Sequence, residues 1–365
     1  MPEEPSIPHV CLDMELPPEL LVTAAEKAIQ ENPANLPIVR HRPGLGVAPS
    51  SPLSLAIITG KKWQNGRTLH VRFLDGKPEI QAKVKQLAVQ WSDFANITFQ
   101  FDDSPDAEIR IAFTPNKGSW SYMGTDNLSI PRDQPTMNYG WFGPDTDDEE
   151  YSRTVIHEFG HALGCIHEHQ HPETDIPWDR EKTFAYYLRT NGWSRDMVEQ
   201  QVFQRYSRSQ TQFSAFDKDS IMEYPIDESL TIGNFAVGWN RHLSPADKTF
   251  IAGIYPKDKP ADAFQTLTVG TAVQTDIGQH GEEDLFKLAI AQKGKYTIET
   301  TGPTDLVMSL LGPESQTSLI ATDDDSGQGH NAKIRADLAP GTYWVRVRHF
   351  KPAGTGQYGL SARKV

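Results

Sequence analysis

Cysteine is nearly missing from this 365-residue chain: Cys11 and Cys165 are its only two. No disulfide framework can therefore hold the fold together. Basic residues are a minority, 35 Lys and Arg against 48 Asp and Glu, for a formal net charge of -13. That balance argues against nucleic acid or an anionic membrane as the main partner, and it also serves plain solubility. Long apolar runs are lacking as well, none reaching the roughly 18 residues that could span a bilayer. The opening residues, Met1-Pro2-Glu3-Glu4-Pro5, are acidic and proline-rich, and no basic stretch followed by an apolar one marks a secretory leader. Neither Gly-x-Ser-x-Gly nor a family cysteine motif occurs, which leaves nucleophilic serine or cysteine hydrolysis without a basis. A soluble chain is expected.

What is present has an ordinary globular make-up, 38% hydrophobic and 23% charged, at a length that suggests two domains and an extra arm. Residues 1–52 read as an N-terminal arm or pro-segment. They hold one helical pattern, Pro18 to Glu31, ahead of the proline-rich Ala48-Pro49-Ser50-Ser51-Pro52. So little apolar surface has to be laid on something else. Residues 53–256 mix the two periodicities. Strands are expected at Arg67–Phe73, Ile97–Phe101 and Ala107–Phe113, and an amphipathic helix at Pro78–Phe94. Further helices are expected at Glu149–Leu163, Asp179–Thr190 and Arg195–Tyr206, with a last one after Ser244-Pro245. Lys257-Asp258-Lys259-Pro260 reads as a linker. Residues 263–365 then carry short alternating runs at 284–289, 294–300, 307–311, 332–338, 341–349 and 357–362. That spacing points to an all-β sandwich.

The chemistry concentrates in His157-Glu158-Phe159-Gly160-His161-Ala162-Leu163-Gly164-Cys165-Ile166-His167. His157 and His161 stand one helical turn apart, so both imidazoles leave the same face. Gly164 is placed to take the left-handed conformation that ends a helix, after which the chain can bring back His167 as a third nitrogen. Three imidazoles with an open position suit a catalytic zinc rather than a closed structural one. Glu158 lies beside the first histidine, where it can act on a water molecule without ligating the metal. The pattern is the metzincin signature, which also demands a downstream methionine turn. Ser220-Ile221-Met222-Glu223-Tyr224 meets that demand. His169 and His171 are less apt as ligands, because turns beside a metal site often collect histidines. The acidic run Asp145–Glu150 reads as a solvated approach to the helix.

From about Arg67 to Pro256 the sequence resembles the astacin-like metallopeptidases. The resemblance implies His157, His161 and His167 as zinc ligands and Glu158 as general base, with Glu168 matching the glutamate after the third histidine. Met222 matches the methionine beneath the zinc. Tyr224 matches a tyrosine that can ligate zinc and then swing aside to stabilise the transition state. Ser119-Trp120-Ser121-Tyr122-Met123-Gly124 looks like the family's edge strand, which pairs with extended substrate, and Leu243-Ser244-Pro245-Ala246-Asp247 like the start of its last helix. Three departures stand out: the usual pair of disulfides cannot form, Glu223 replaces a histidine, and His169-Gln170-His171-Pro172 replaces the usual stretch after the third ligand. The family's pro-segments commonly block zinc with a side chain, which suggests Cys11 for that role, or Asp13 as its rival; the other readings of Cys11 are an inert buried thiol or a pair with Cys165.

The C-terminal region resembles the pre-peptidase C-terminal β-sandwich of secreted bacterial proteases through Glu283-Asp284-Leu285-Phe286, Asp323-Asp324-Asp325 and Gly341-Thr342-Tyr343-Trp344-Val345-Arg346-Val347. Asp323, Asp324 and Asp325 either offer oxygen donors to calcium or form a solvent-facing acidic turn. The expectation is an α+β metzincin zinc-protease domain, a mixed twisted sheet plus an active-site helix, followed by an all-β sandwich domain. It would act on protein or peptide chains as a monomer with one catalytic zinc, outside the cell by family resemblance. The rival readings are a zinc-holding but inactive adhesion or binding protein, which would have no need of Glu158, and a zinc hydrolase of non-peptide substrates.

Overall fold

The computed structural model describes residues 9, 11–35, 60–171, 174–205, 216–257, 264–279, 282–316, 318–351 and 354–365. The proline-rich stretch 48–52, Tyr206 and the linker residues 258–260 lie outside them. The chain divides into two compact units, each assembled from two stretches: Met1–Leu20 with Asn65–Ile251, and Leu21–Gln64 with Ala252–Val365. These cuts do not coincide with the compositional boundaries at 52 and 256.

The first unit is built on a six-stranded mixed sheet. Its strands are β1 (Cys11–Met14), β2 (Thr68–Phe73), β3 (Thr98–Phe101), β4 (Ile109–Ala112), β5 (Ser119–Tyr122) and β6 (Met137–Tyr139), in the order β1-β5-β6-β4-β2-β3. The β5–β6 pair is antiparallel and every other pair parallel. Leu69, Val71, Ile109, Ile111 and Met137 are completely buried. β4 is buried at every position, as expected of a strand covered on both faces. Arg110 on that strand is also enclosed, its guanidinium donating to the carbonyls of Ala107, Ile130, Pro131 and Gln134. The proline-led helix ends earlier than its pattern suggests, at Ala88, and tightens into a 3-10 turn over Val89–Asp93. Trp91 in that turn donates from its indole to the carbonyl of Ile156, 2.8 Å away, and Phe159 sets its ring edge-on to Phe99 at 4.9 Å. Those contacts lock the motif-bearing helix Asp148–Ala162 onto the sheet.

The second unit begins with α1 (Leu21–Glu31), followed in chain order within the first unit by α2 (Pro78–Ala88), α3 (Asp148–Ala162), α4 (Arg180–Asn191), α5 (Arg195–Val198) and α6 (Pro245–Ile254). Ala24 and Ala28 of α1 have no exposed surface. Asn32 donates to the carbonyl of Trp63 at 2.8 Å, Asn35 to that of Lys62 at 2.7 Å, and the Lys62 N–H returns to Asn35 Oδ1 at 2.8 Å. The Arg346 guanidinium reaches Asn32 Oδ1 at 3.1 Å, and Lys62 pairs with Glu283 at 3.1 Å. A helix from the compositional arm is thereby fixed to the β unit.

The rest of this unit is two sheets, β13-β10-β15-β8 and β12-β11-β14-β9-β7. Their strands are β7 (Gln265–Thr266), β8 (Ala272–Ile277), β9 (Glu283–Ile290), β10 (Gly294–Thr301), β11 (Leu306–Leu311), β12 (Leu319–Asp323), β13 (Lys333–Leu338), β14 (Gly341–His349) and β15 (Gly356–Lys364). Pairing is antiparallel except where two-residue β7 joins β9. Phe286, Leu288, Ile298, Met308, Leu310, Val345 and Leu360 form the core. Six strands fall where alternation places them, within two residues at either end. β8 and β12 were not legible, their burial alternating only weakly.

Candidate active site

Helix α3 starts and stops on local signals. Asp147 accepts the Glu150 N–H at 2.7 Å, and Asp148, Glu149 and Glu150 fill the first turn, where negative charge suits the helix dipole. The acidic run is thus a cap. At the other end Gly164 has φ of 96°, and the Cys165 N–H turns back to the Gly160 carbonyl at 3.0 Å.

The reversal brings His167 against the helix. The three Nε2 atoms approach one another at 3.0 Å (His157–His167), 3.1 Å (His157–His161) and 3.0 Å (His161–His167). Nδ1 of His157 faces the Ile221 carbonyl and Nδ1 of His161 the Cys165 carbonyl, each at 2.8 Å. Those carbonyls require the proton on Nδ1, so a lone pair remains on Nε2. Lone pairs converging at such distances repel unless a cation lies among them. Nitrogens held 2.0–2.1 Å from a tetrahedral zinc stand roughly 3.3 Å apart, close to the spacing here. Burial first, and then the neighbouring imidazoles, push His157 and His167 well below the usual histidine range; burial also lowers His161. All three are neutral, as metal ligands must be. The residues fit a metal ion.

Glu158 has no exposed surface, and among the described residues no backbone group or oxygen or nitrogen side chain bonds its carboxylate, which has only the Cys11 thiol beside it. Burial raises its pKa to about 8. The Cys11 thiol lies beside it, close to both Glu158 and His157. Burial, and then the Glu158 charge, hold that thiol well above its ordinary value. Asp13, two residues on, has its carboxylate 4.0 Å from Nδ1 of His167. Both cysteines are buried and free. The Tyr224 ring packs 4.3 Å from His167, and its hydroxyl donates to the backbone carbonyl of Cys11.

β1 lies alongside β5 in parallel register, Cys11 opposite Ser119, Leu12 opposite Trp120, Asp13 opposite Ser121 and Met14 opposite Tyr122. The edge strand expected to receive substrate is thus covered by the chain's own segment. This strand was not legible in the sequence, because four residues between prolines carry no periodicity of their own.

Met222 forms the floor. A Cβ on Gly160 would stand 2.4 Å from its sulfur, so the helix can rest on the methionine only with glycine there. Asp247 holds the methionine turn. Its carboxylate accepts from the Ser220 hydroxyl at 2.6 Å, the Ile221 N–H at 2.9 Å and the Ser244 N–H at 2.8 Å. The Ser244 hydroxyl in turn accepts the Asp247 N–H at 3.0 Å, a reciprocal cap for α6. The Ser-x-x-Asp spacing could have shown that cap, but not its grip on the methionine turn. The His169 ring stacks on His167 at 5.1 Å but directs its nitrogens elsewhere, Nε2 2.9 Å from the Gln201 carbonyl and Nδ1 3.4 Å from the Glu223 carboxylate. Glu168 is half-buried, and its carboxylate accepts the Asp217 N–H at 3.3 Å.

In the C-terminal unit the three consecutive aspartates do not converge as a group. Asp323 Oδ1 accepts the N–H groups of Ser326 at 3.0 Å and Lys333 at 2.7 Å. Asp325 instead groups with Asp305 and His330. Among the described residues no helix is long and apolar enough to cross a membrane.

The model of the Astacin peptidase family matches residues 58–235. The solved structure of myroilysin is 53% identical, covering 54% of this chain and 97% of that one at a TM-score of 0.54. Zinc metalloproteinase nas-24 of Caenorhabditis elegans is 24% identical over 166 residues, 45% of this chain; the match spans only 36% of that protein's length. The pre-peptidase C-terminal domain of a Bacillus anthracis collagenase covers 29% of this chain at 16% identity and a TM-score of 0.26. That likeness is too slight to add to what the strand pairing shows. A histidine triad on and just after a helix, over a methionine turn and beside a mixed sheet, defines a metallopeptidase domain of the metzincin class. Within that class, the chain belongs to the astacin family.

Proposed function

We propose that the chain is a zinc-dependent endopeptidase that cleaves extended protein substrates, with Glu158 as general base. The observation that carries the reading is Glu158 itself: an enclosed carboxylate with only the Cys11 thiol to bond among the described residues, beside three converging imidazoles. A carboxylate kept in that state costs stability and needs a chemical reason. His157, His161 and His167 would hold the zinc. When bound, zinc supplies Lewis acidity, which polarises a carbonyl and makes water acidic near neutral pH. Glu158 takes the proton of the attacking water and passes it to the departing amine nitrogen. Tyr224, whose hydroxyl already donates to a peptide carbonyl, donates to the scissile carbonyl oxygen as negative charge develops on it.

The same reading gives β1 the role of a latency segment, with Cys11 as its blocking group and Asp13 as the rival. It makes protein or peptide chains the substrates, a monomer the working form and the outside of the cell the place of action. For the C-terminal unit, calcium expected of Asp323, Asp324 and Asp325 would fall to Asp325, which has Asp305 and His330 for neighbours.

Glu158→Gln tests the centre. The variant keeps all three imidazoles, so its zinc content by mass spectrometry should match the parent. Casein hydrolysis should fall by about 10²–10⁴-fold. Turnover near the parent's would end the mechanism.

A further inference from the structure

The segment lying in the cleft is held from both edges. β5 pairs with it on one side, and on the other side chains reach its backbone: the Tyr224 hydroxyl at Cys11 and the Gln201 carboxamide at Asp13. The Asp13 N–H donates to Gln201 Oε1 at 2.7 Å, and Gln201 Nε2 donates back to the Asp13 carbonyl at 3.1 Å. Both bonds go to main-chain atoms of one residue, the pattern by which one strand recognises another. The contact therefore reads an extended peptide without reading its side chains.

Gln201 is placed for this. It is only 3% exposed, and it sits in a π-helical turn, Glu199–Phe203, directly after α5. Such turns are uncommon and concentrate at functional sites. The turn is fixed from the residues that follow the histidine triad. His169 Nε2 is 2.9 Å from the Gln201 carbonyl, and Gln170 Nε2 donates to the Gln200 carbonyl at 3.4 Å. With the cleft empty, the Gln201 carboxamide would lose both of its peptide partners, and a buried polar group left unmet destabilises the fold. An extended peptide meets both groups at once.

We propose that Gln201 is a substrate-binding residue, pairing with the N–H and C=O of one residue of an extended peptide laid along β5. This inference rests on the peptidase reading and deepens it. Asp13 is two residues from Cys11, whose carbonyl receives the Tyr224 hydroxyl. The substrate residue read by Gln201 therefore lies two positions from the bond that is cut. It cannot be proline, which has no N–H to offer. A carboxamide paired with both groups of one residue accepts either chain direction, so the parallel course of β1 does not restrict the substrate to that course.

The test is a cycle on the full-length, zinc-loaded chain at its basal rate. One cleavable peptide is prepared unmodified and with a single backbone N-methyl group at each position within three residues of the cut. Occupancy of the cleft by the N-terminal segment scales every KM of one protein equally and cancels in the methylated-to-unmethylated ratio. In the parent, methylation two residues from the cut should raise KM about tenfold, as expected for one lost hydrogen bond to a buried acceptor. In Gln201→Ala that ratio should fall to about one, with KM of the unmodified peptide raised and kcat little changed. Gln201→Glu has the same shape, keeps the acceptor and loses the donor, so it should retain the methylation penalty. Methylation effects that are the same in parent and Gln201→Ala would overturn the inference while leaving the peptidase reading intact. Absence of cleavage of the unmodified peptide by the parent and by Cys11→Ala alike would overturn both.

Discussion

Cys11 presents two different groups to the centre. Its carbonyl takes the Tyr224 hydroxyl, and its thiol lies by Glu158 and His157. A thiolate is a strong zinc ligand, so the side chain rather than the strand is the natural block. Replacing it with alanine leaves the β5 pairing and both Gln201 bonds in place, which isolates the thiol. Freshly made Cys11→Ala should hydrolyse peptide at an initial rate at least about tenfold above the parent's, the loss of one strong ligand contact being the cause. Equal initial rates would remove the thiol from the latency role. Activation in Asp13→Ala alone would transfer that role to the carboxylate 4.0 Å from His167.

Among the elements, α6 and the methionine turn act as one piece. Asp247, near the start of the helix, holds Ser220 and Ile221, and the Ile221 carbonyl orients His157. Partners that orient a ligand are worth about 10–100-fold in metal affinity. Asp247→Ala should therefore weaken zinc retention by that order, read by competition with a chromophoric chelator. It should also lower the thermal midpoint, because buried donors lose their acceptor. A lower midpoint with unchanged zinc affinity would show that the turn holds its shape without the aspartate.

At the scale of the whole molecule, the units are discontinuous in sequence. Residues 21–35 and 60–64 are fastened within the second unit by Asn32, Asn35 and Lys62. Burial would raise the Glu283 carboxyl, but Lys62, Arg346 and Arg348 outweigh it and bring it to about 2, so this pair is ionised and held. A chain ended after Pro256 keeps residues 65–251 and loses Glu283 and Arg346. Such a chain should retain slow amide exchange in β2, β4 and β6. Exchange in residues 21–35 should quicken by at least roughly tenfold, as expected when about 1.4 kcal/mol of local stability is lost. Unchanged protection of α1 would mean that its order does not depend on the β unit.

The sequence alone determined what depends on neighbours along the chain. The one-turn spacing of His157 and His161, Gly164 as the stop, Ser244 as a cap and the alternation of β9 to β11 are local, so their consequences could be read without a fold. The triad and the two-part architecture were legible for that reason. Tertiary structure decided what depends on residues far apart. β1 is a strand only because β5 offers it an edge, and Gln201 meets Asp13 across 188 positions. Gly160 is required by a methionine 62 residues later, and Asp247 reaches back to the turn beneath the triad. α1 belongs to the β unit because Asn32 and Asn35 bond there, a choice that its amphipathic pattern left open. A periodic pattern states that a face must be buried, but the partner that buries it is fixed only when the chain closes on itself.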